Sequence, residues 1–128
     1  MDYTRLHVQQ SYKRLQNSVL RADFHYIPFA SNSIDYIFEI ESICHATQID
    51  KVLRDAYRVL KSGGVFTIYD GFRVVPSDQL SAIHLRARHL VEKPIGVDKG
   101  TLLDDFIAKS NAIGFTVTKK DNCSQKIM

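Results

Sequence analysis

The sequence predicts an α/β domain with a mostly parallel sheet flanked by helices. Three observations carry this. The segments "IDYIFEI" (34–40) and "VFTIYD" (65–70) are rich in β-branched and aromatic residues, the composition of strands. Between them, Ile49, Val52, Leu53, Ala56, Tyr57 and Leu60 recur at helical spacing. A strand, a helix and a second strand in that order form the crossover unit that parallel pairing requires.

The remaining elements follow in chain order. Residues 3–16 read as a helix of modest amphipathicity, with Val8, Tyr12 and Leu15 on one face. "SVLRADF" (18–24) reads as a short strand ending at Asp23, and "IPFASNS" (27–33) as a loop. Pro28 restricts that loop's backbone, while Ser31, Asn32 and Ser33 supply turn chemistry. Thr47 or Asp50 can cap the helix over 49–60, and Gly63 with Gly64 ends it. A helix over 78–92 carries Leu80, Ile83, Ala87, Leu90 and Val91 on one side. "KPIGVDKG" (93–100) is a loop, residues 101–113 are a helix, and Gly114 is its stop. "FTVTKKD" (115–121) is a last strand, placed at a sheet edge by Lys119 and Lys120. The order is α-β-β-α-β-α-α-β.

Composition narrows the function classes. With 128 residues, 45% of them hydrophobic and 24% charged, the chain can build one soluble domain with a core. The net charge of +3 comes from scattered basic residues, so no nucleic-acid partner is expected. No apolar run reaches the roughly 18 residues of a membrane span, and the first residues lack an apolar signal core. Cys44 and Cys123 stand far apart in no metal-like spacing and read as free thiols of a reducing cytoplasm.

"FEIESICHAT" (38–47) is the segment with chemistry in it. It continues an apolar strand and ends in Glu39, Glu41 and His45, groups that a buried strand has no use for. In parallel sheets, ligands sit beyond the carboxyl ends of the strands. Asp23, the group from Glu39 to His45, and Asp70 all fall at such ends, so three strands are expected to deliver acids to one rim. His84 and His89 are five apart and share no helix face suited to a metal. Cys44 and His45, being sequence neighbours, do not read as a nucleophile pair.

The run "RADFHYIPFASNSIDYIF" (21–38) with "CHATQIDKVLRDAYRVLKSGGVFTIYD" (44–70) resembles the class I S-adenosylmethionine-dependent methyltransferases. The matching positions are Asp23, Pro28 and Phe29, then Ser33, Ile34 and Asp35, and finally Arg58 through Gly64. Ser62 stands where the family usually has proline. "IESICHA" (40–46), "IYDGF" (68–72) and the stretch from Leu90 to Phe115 are most similar to the sterol methyltransferase branch.

The resemblance implies a Rossmann-like fold, S-adenosylmethionine as cofactor, and methyl transfer to a small apolar acceptor, sterol- or quinone-like. It implies that Asp23 accepts the adenine amino group, with Phe24 adding a backbone or apolar contact. Ile40 would line the cofactor, and Glu39 stands beside it, although strand alternation turns Glu39 toward the opposite face. Glu41 would stabilise positive charge developing on the acceptor, and His45 would move a proton. The alternative is a solvated Glu41 and a His45 bonded to the following turn. Tyr69 and Asp70 would orient substrate or close the site; the alternative is that Asp70 opens a turn with Gly71.

The family's glycine-rich turn and its ribose-binding acid are absent from these residues. The chain is therefore expected to be a truncated methyltransferase domain, from the family's third strand onward. That third strand would then pair with the fourth, pair with another chain, or stay unpaired. An open edge of this kind can take a second copy, and the rival reading is a non-catalytic remnant acting as a binding or dimerisation module.

Overall fold

The computed structural model describes residues 4–15, 19–97 and 100–124. Its helices are Arg5–Leu15 (α1), Ile49–Val59 (α2), Ala82–Glu92 (α3) and Leu103–Ile113 (α4). Its strands are Ile34–Ile40 (β1) and Leu60–Tyr69 (β2), with short 3-10 turns at Ile43–His45 and Ser77–Gln79.

β1 and β2 pair in parallel, with Tyr36 opposite Val65, Phe38 opposite Thr67 and Ile40 opposite Tyr69. α2 makes the crossover between them. It is placed by one apolar stripe, since Val52, Leu53, Ala56 and Val59 are all buried. Leu53, Ile43 and Phe106 form the centre of the core, with Phe66, Ile68, Phe72 and Phe115 packed around it. α4 lies on the same side of the sheet, and Lys109 on α4 pairs with Asp50 on α2 at 2.8 Å.

The last carbonyls of α2 have no partner within the helix, as at any helix end. Those of Arg58 and Val59 are taken by the Asn32 and Ser33 amides at 3.0 and 2.9 Å. The turn before β1 is thereby fixed to the helix that follows it. Gly63, at a φ of 78°, turns the chain as β2 begins. A Cβ on Gly64 would lie 2.9 Å from the Lys61 carbonyl and 3.1 Å from that of Asp35, so the strands approach there only because the side chain is missing.

The structure corrects several expectations. The strand expected over 18–24 does not form: of its described residues, only Arg21 makes an isolated bridge, and Asp23 lies in no strand. The loop that follows it is tied to α2 by side chains. Asp55 on α2 accepts the Ile27 amide, and Arg58 donates to the carbonyls of Ile27 and Phe29 at 2.8 and 2.9 Å. Nor does a strand form over 115–121, where Phe115 turns inward against Tyr57 and Phe66. An edge strand needs a ladder to join, and β2 extends none to this segment. The helix expected from 49 to 60 stops at Val59 and passes straight into β2, so Gly63 and Gly64 lie inside the strand, not at the helix end. Neither Thr47 nor Asp50 caps α2; Gln48 holds the cap position without a side-chain bond. α3 starts at Ala82, later than expected, because Ser81 is its N-cap and Pro76 starts a separate turn.

The second face of the sheet is bare. Tyr36, Phe38 and Ile40 are more than half exposed, and Val65 and Tyr69 lie beside them on β2.

Candidate functional site

A cleft of about 1140 Å³ separates the edge of β1 turned away from β2 from the segment 22–29. Its walls include Asp23 and Phe24 from that segment, Phe38 to Ser42 from the end of β1, and His45. Six of the eight residues singled out in the sequence therefore face one space: Asp23, Phe24, Glu39, Ile40, Glu41 and His45. Tyr69 and Asp70 lie outside its lining.

Asp23 is oriented by its own loop. The His25 amide and the His25 Nδ1 approach Oδ1 of Asp23 at 2.8 and 2.7 Å. The backbone bond, more than the ring, holds the Asp23 carboxyl below its ordinary range. No hydrogen bond among the described residues uses its Oδ2. The far nitrogen of His25, Nε2, faces the Gln48 amide and the Thr47 hydroxyl at 3.4 Å each, linking the loop to the start of α2. Lys51 closes the same corner, lying over the Tyr26 ring at 3.6 Å.

His25, Tyr26, Lys51, Asp55 and Arg58 were not picked out as site residues in the sequence. The two-residue spacing from Asp23 to His25 is the signal that could have found the first of them, because an Asp side chain readily takes the amide two residues on. The others act across α2 and leave no local signature. Asp55 feels burial most, which opposes ionisation. The Arg58 side chain and the Ile27 amide outweigh it and hold the carboxyl below the ordinary range.

At the far end of the cleft, the two acids that end the strands grip one turn. Oε1 of Glu39 accepts the Ser42 amide, the Ser42 hydroxyl and the Ile43 amide at 2.7, 3.0 and 3.1 Å. Asp70 accepts the Cys44 amide at 2.9 Å through one oxygen and the Gly71 amide at 2.6 Å through the other. Asp70 thus spends both oxygens on backbone amides. Burial and the nearby Asp70 push the Cys44 thiol up to about 12, so it stays a thiol at neutral pH. Tyr69 contributes its carbonyl, which accepts the Glu41 amide at 2.8 Å and extends the ladder one residue past β1.

Glu41 differs from both acids. Its side chain is exposed and has no partner among the described residues, while its backbone is left-handed with a φ of 49°. For a residue with a Cβ that conformation costs about 1 kcal/mol. Glu41→Gly is therefore expected to raise stability by about 0.5–1 kcal/mol, seen as a higher midpoint in urea unfolding. A lower midpoint would show that the carboxylate supports the fold. His45 places Nδ1 at 3.4 Å from the Gly96 carbonyl and is otherwise exposed.

Among the described residues, no group of three or more His, Cys, Asp or Glu side chains could hold a metal ion, and no helix is long and apolar enough to cross a membrane.

Known proteins are similar to this chain in sequence and in fold. A family described as "Methyltransferase domain" matches residues 1–68. The sterol 24-C-methyltransferase of Schizosaccharomyces pombe is 30% identical over 105 residues, which is 80% of this chain and 27% of that protein. The chain thus spans little more than a quarter of the curated relatives of this kind. Among solved structures, a candidate sarcosine dimethylglycine methyltransferase from Galdieria sulphuraria superimposes with a TM-score of 0.76 at 18% identity, covering 92% of this chain and 45% of its own. A candidate methyltransferase of Haloferax volcanii, solved in complex with a methyltransferase activator, gives 0.74 at 19% identity, covering 94% and 51%.

Proposed function

We propose, from the premise that this chain belongs to the class I S-adenosylmethionine-dependent methyltransferase family, that it takes part in methyl transfer to a small apolar acceptor, sterol- or quinone-like. One observation carries the reading: a single cleft gathers Asp23, Phe24, Glu41 and His45 beside the exposed apolar residues Phe38 and Ile40. The sterol acceptor is taken from the names of the curated relatives.

The residues present fit part of the cofactor. Asp23 has one carboxylate oxygen engaged by His25, and the other, which accepts no hydrogen bond among the described residues, could take an amino group. Phe24 and Ile40 line the same cleft and offer apolar contact. Bound S-adenosylmethionine would supply an electrophilic methyl group carried on a sulfonium. Transfer of that group depends mostly on positioning, so few dedicated residues are needed. Glu41, unpaired at the strand end, would stabilise positive charge on the acceptor. His45 would accept the proton that the methylated acceptor loses, its imidazole being suited to that at neutral pH. The glycine-rich turn is not among these residues, so the affinity of this chain for the cofactor would be modest. The two free thiols suit a reducing, cytoplasmic compartment.

Calorimetric titration with S-adenosylhomocysteine tests this. One site per chain at micromolar concentration is the expected result. Asp23→Ala should then weaken binding roughly tenfold or more, the loss of one bond to a charged acceptor. Silence up to millimolar ligand would favour the second reading, a non-catalytic module that pairs with another copy. That reading draws on the edge of β1 turned away from β2 and the exposed Tyr36, Phe38 and Ile40. Sedimentation of the same sample would then show a dimer.

A further inference from the structure

The second oxygen of the Glu39 carboxyl has no place in the bonds described so far. Oε1 accepts three donors from Ser42 and Ile43. Oε2 is fully buried and meets no donor. A buried carboxylate oxygen without a partner is costly, and such atoms are scarce in folded proteins. The next amide of the same turn, that of Cys44, is held by another acid, Asp70, which lies near enough to push the Glu39 carboxyl up. The two come together because β1 and β2 are parallel and end side by side, with Glu39 opposite Ile68.

We propose that Glu39 and Asp70 share one proton, carried on Oε2 of Glu39, and that this proton fixes the 42–45 turn which carries His45 and follows Glu41. With the proton present, Oε2 becomes a donor toward Asp70 and both acids keep their backbone acceptor roles. Without it, two half-buried anions repel each other across the turn they hold. Burial raises the Glu39 carboxyl most, its amide bonds to Ser42 and Ile43 pull it back, and Asp70 raises it again. The other titratable groups around the pair are Cys44 on the turn and Glu41 beyond it. Glu39 is then a positioning residue and not a contact for cofactor. The inference is independent of methyl transfer and stands whatever the ligand proves to be.

The direction of the pH effect follows from linkage. A carboxyl raised in the folded state binds its proton more tightly there than when unfolded. Its stabilising effect is complete below its ordinary value of 4.5 and fades as pH rises through the higher folded value. The carboxyls of Asp23 and Asp55, held low, act in the opposite sense at more acid pH. A comparison with Glu39→Gln cancels those two, because that variant keeps the shape, the acceptor Oε1 and a fixed donor toward Asp70.

Melting temperatures of the wild-type chain and Glu39→Gln should be measured from about pH 5 to about pH 9. The expected result is a curve for wild type that falls relative to the variant, by up to roughly 4 °C per pH unit where the proton is lost. Glu39→Ala, which keeps neither role, should melt lower than both at every pH. Should Glu39→Ala fail to fold, the carbon-13 shift of the Glu39 carboxyl in wild type reads the same proton directly and should titrate well above the range of a free glutamate. Parallel melting curves for wild type and Glu39→Gln, or a Glu39 carboxyl titrating in the ordinary range, would overturn the proposal.

Discussion

Leu53→Ala is expected to lower stability by about 3 kcal/mol, within the range of buried leucine truncations. Leu53 is 1% exposed and lies between Ile43, on the turn below the cleft, and Phe106 on α4. Removing its side chain opens a void that three separate elements would have to close, and well-packed cores relax only in part. For a domain of this size that is a large share of the net stability, which is on the order of 5–15 kcal/mol. The loss should also reach the site, because Ile43 anchors the turn carrying His45. Urea unfolding measures the cost, and hydrogen exchange at Ile43 and Cys44 measures its spread. Ile83→Ala serves as the control: Ile83 is 79% exposed, so its truncation should stay within about 0.5 kcal/mol of neutral. Equal losses for the two variants would show that the core described around Leu53 is not what holds the fold.

Gly64→Ala comes next, with an expected cost of about 1–3 kcal/mol. The new methyl group would meet two carbonyl oxygens, of Lys61 and Asp35, at 2.9 and 3.1 Å, and the Leu60 side chain at 3.0 Å. Side chains can swing aside, but backbone carbonyls in a strand pair cannot do so without moving the strands. The parallel ladder should therefore shift where β2 begins, close to the irregular register between Ile34 and Tyr36. Amide exchange along β1 reports it. Gly71→Ala is the matched control, since a Cβ there meets nothing within 4 Å. Near-neutral Gly64→Ala together with unchanged exchange would mean that β1 and β2 do not approach as described.

These two variants probe what was readable in the sequence to different degrees. The stripe from Ile49 to Val59 announced α2 and its buried face, because helical periodicity is a local property. The strand over 34–40 was legible for the same reason, its residues favouring extended backbone whatever surrounds them. Segments 18–24 and 115–121 have strand composition as well, yet their described residues form no strand. Extended backbone must be paired, and composition does not say whether a partner lies alongside. The roles of Glu39 and Asp70 were hidden in a similar way. Each looked like an acid at a strand end, available to a ligand, and the structure turns both onto the backbone of a turn between them. Glu41, two residues on from Glu39, has no side-chain partner among the described residues and a left-handed backbone, a contrast no spacing rule could supply.

The amino-acid sequence alone determined the crossover unit and the family to which the chain belongs. Those depend on residue type and short-range spacing. Tertiary structure decided which acids are engaged, which are free, and that the loop around Asp23 is held by α2 side chains in place of a neighbouring strand. Such outcomes depend on distances between residues far apart in the chain, and hydrogen-bond partners exist only once the chain has folded.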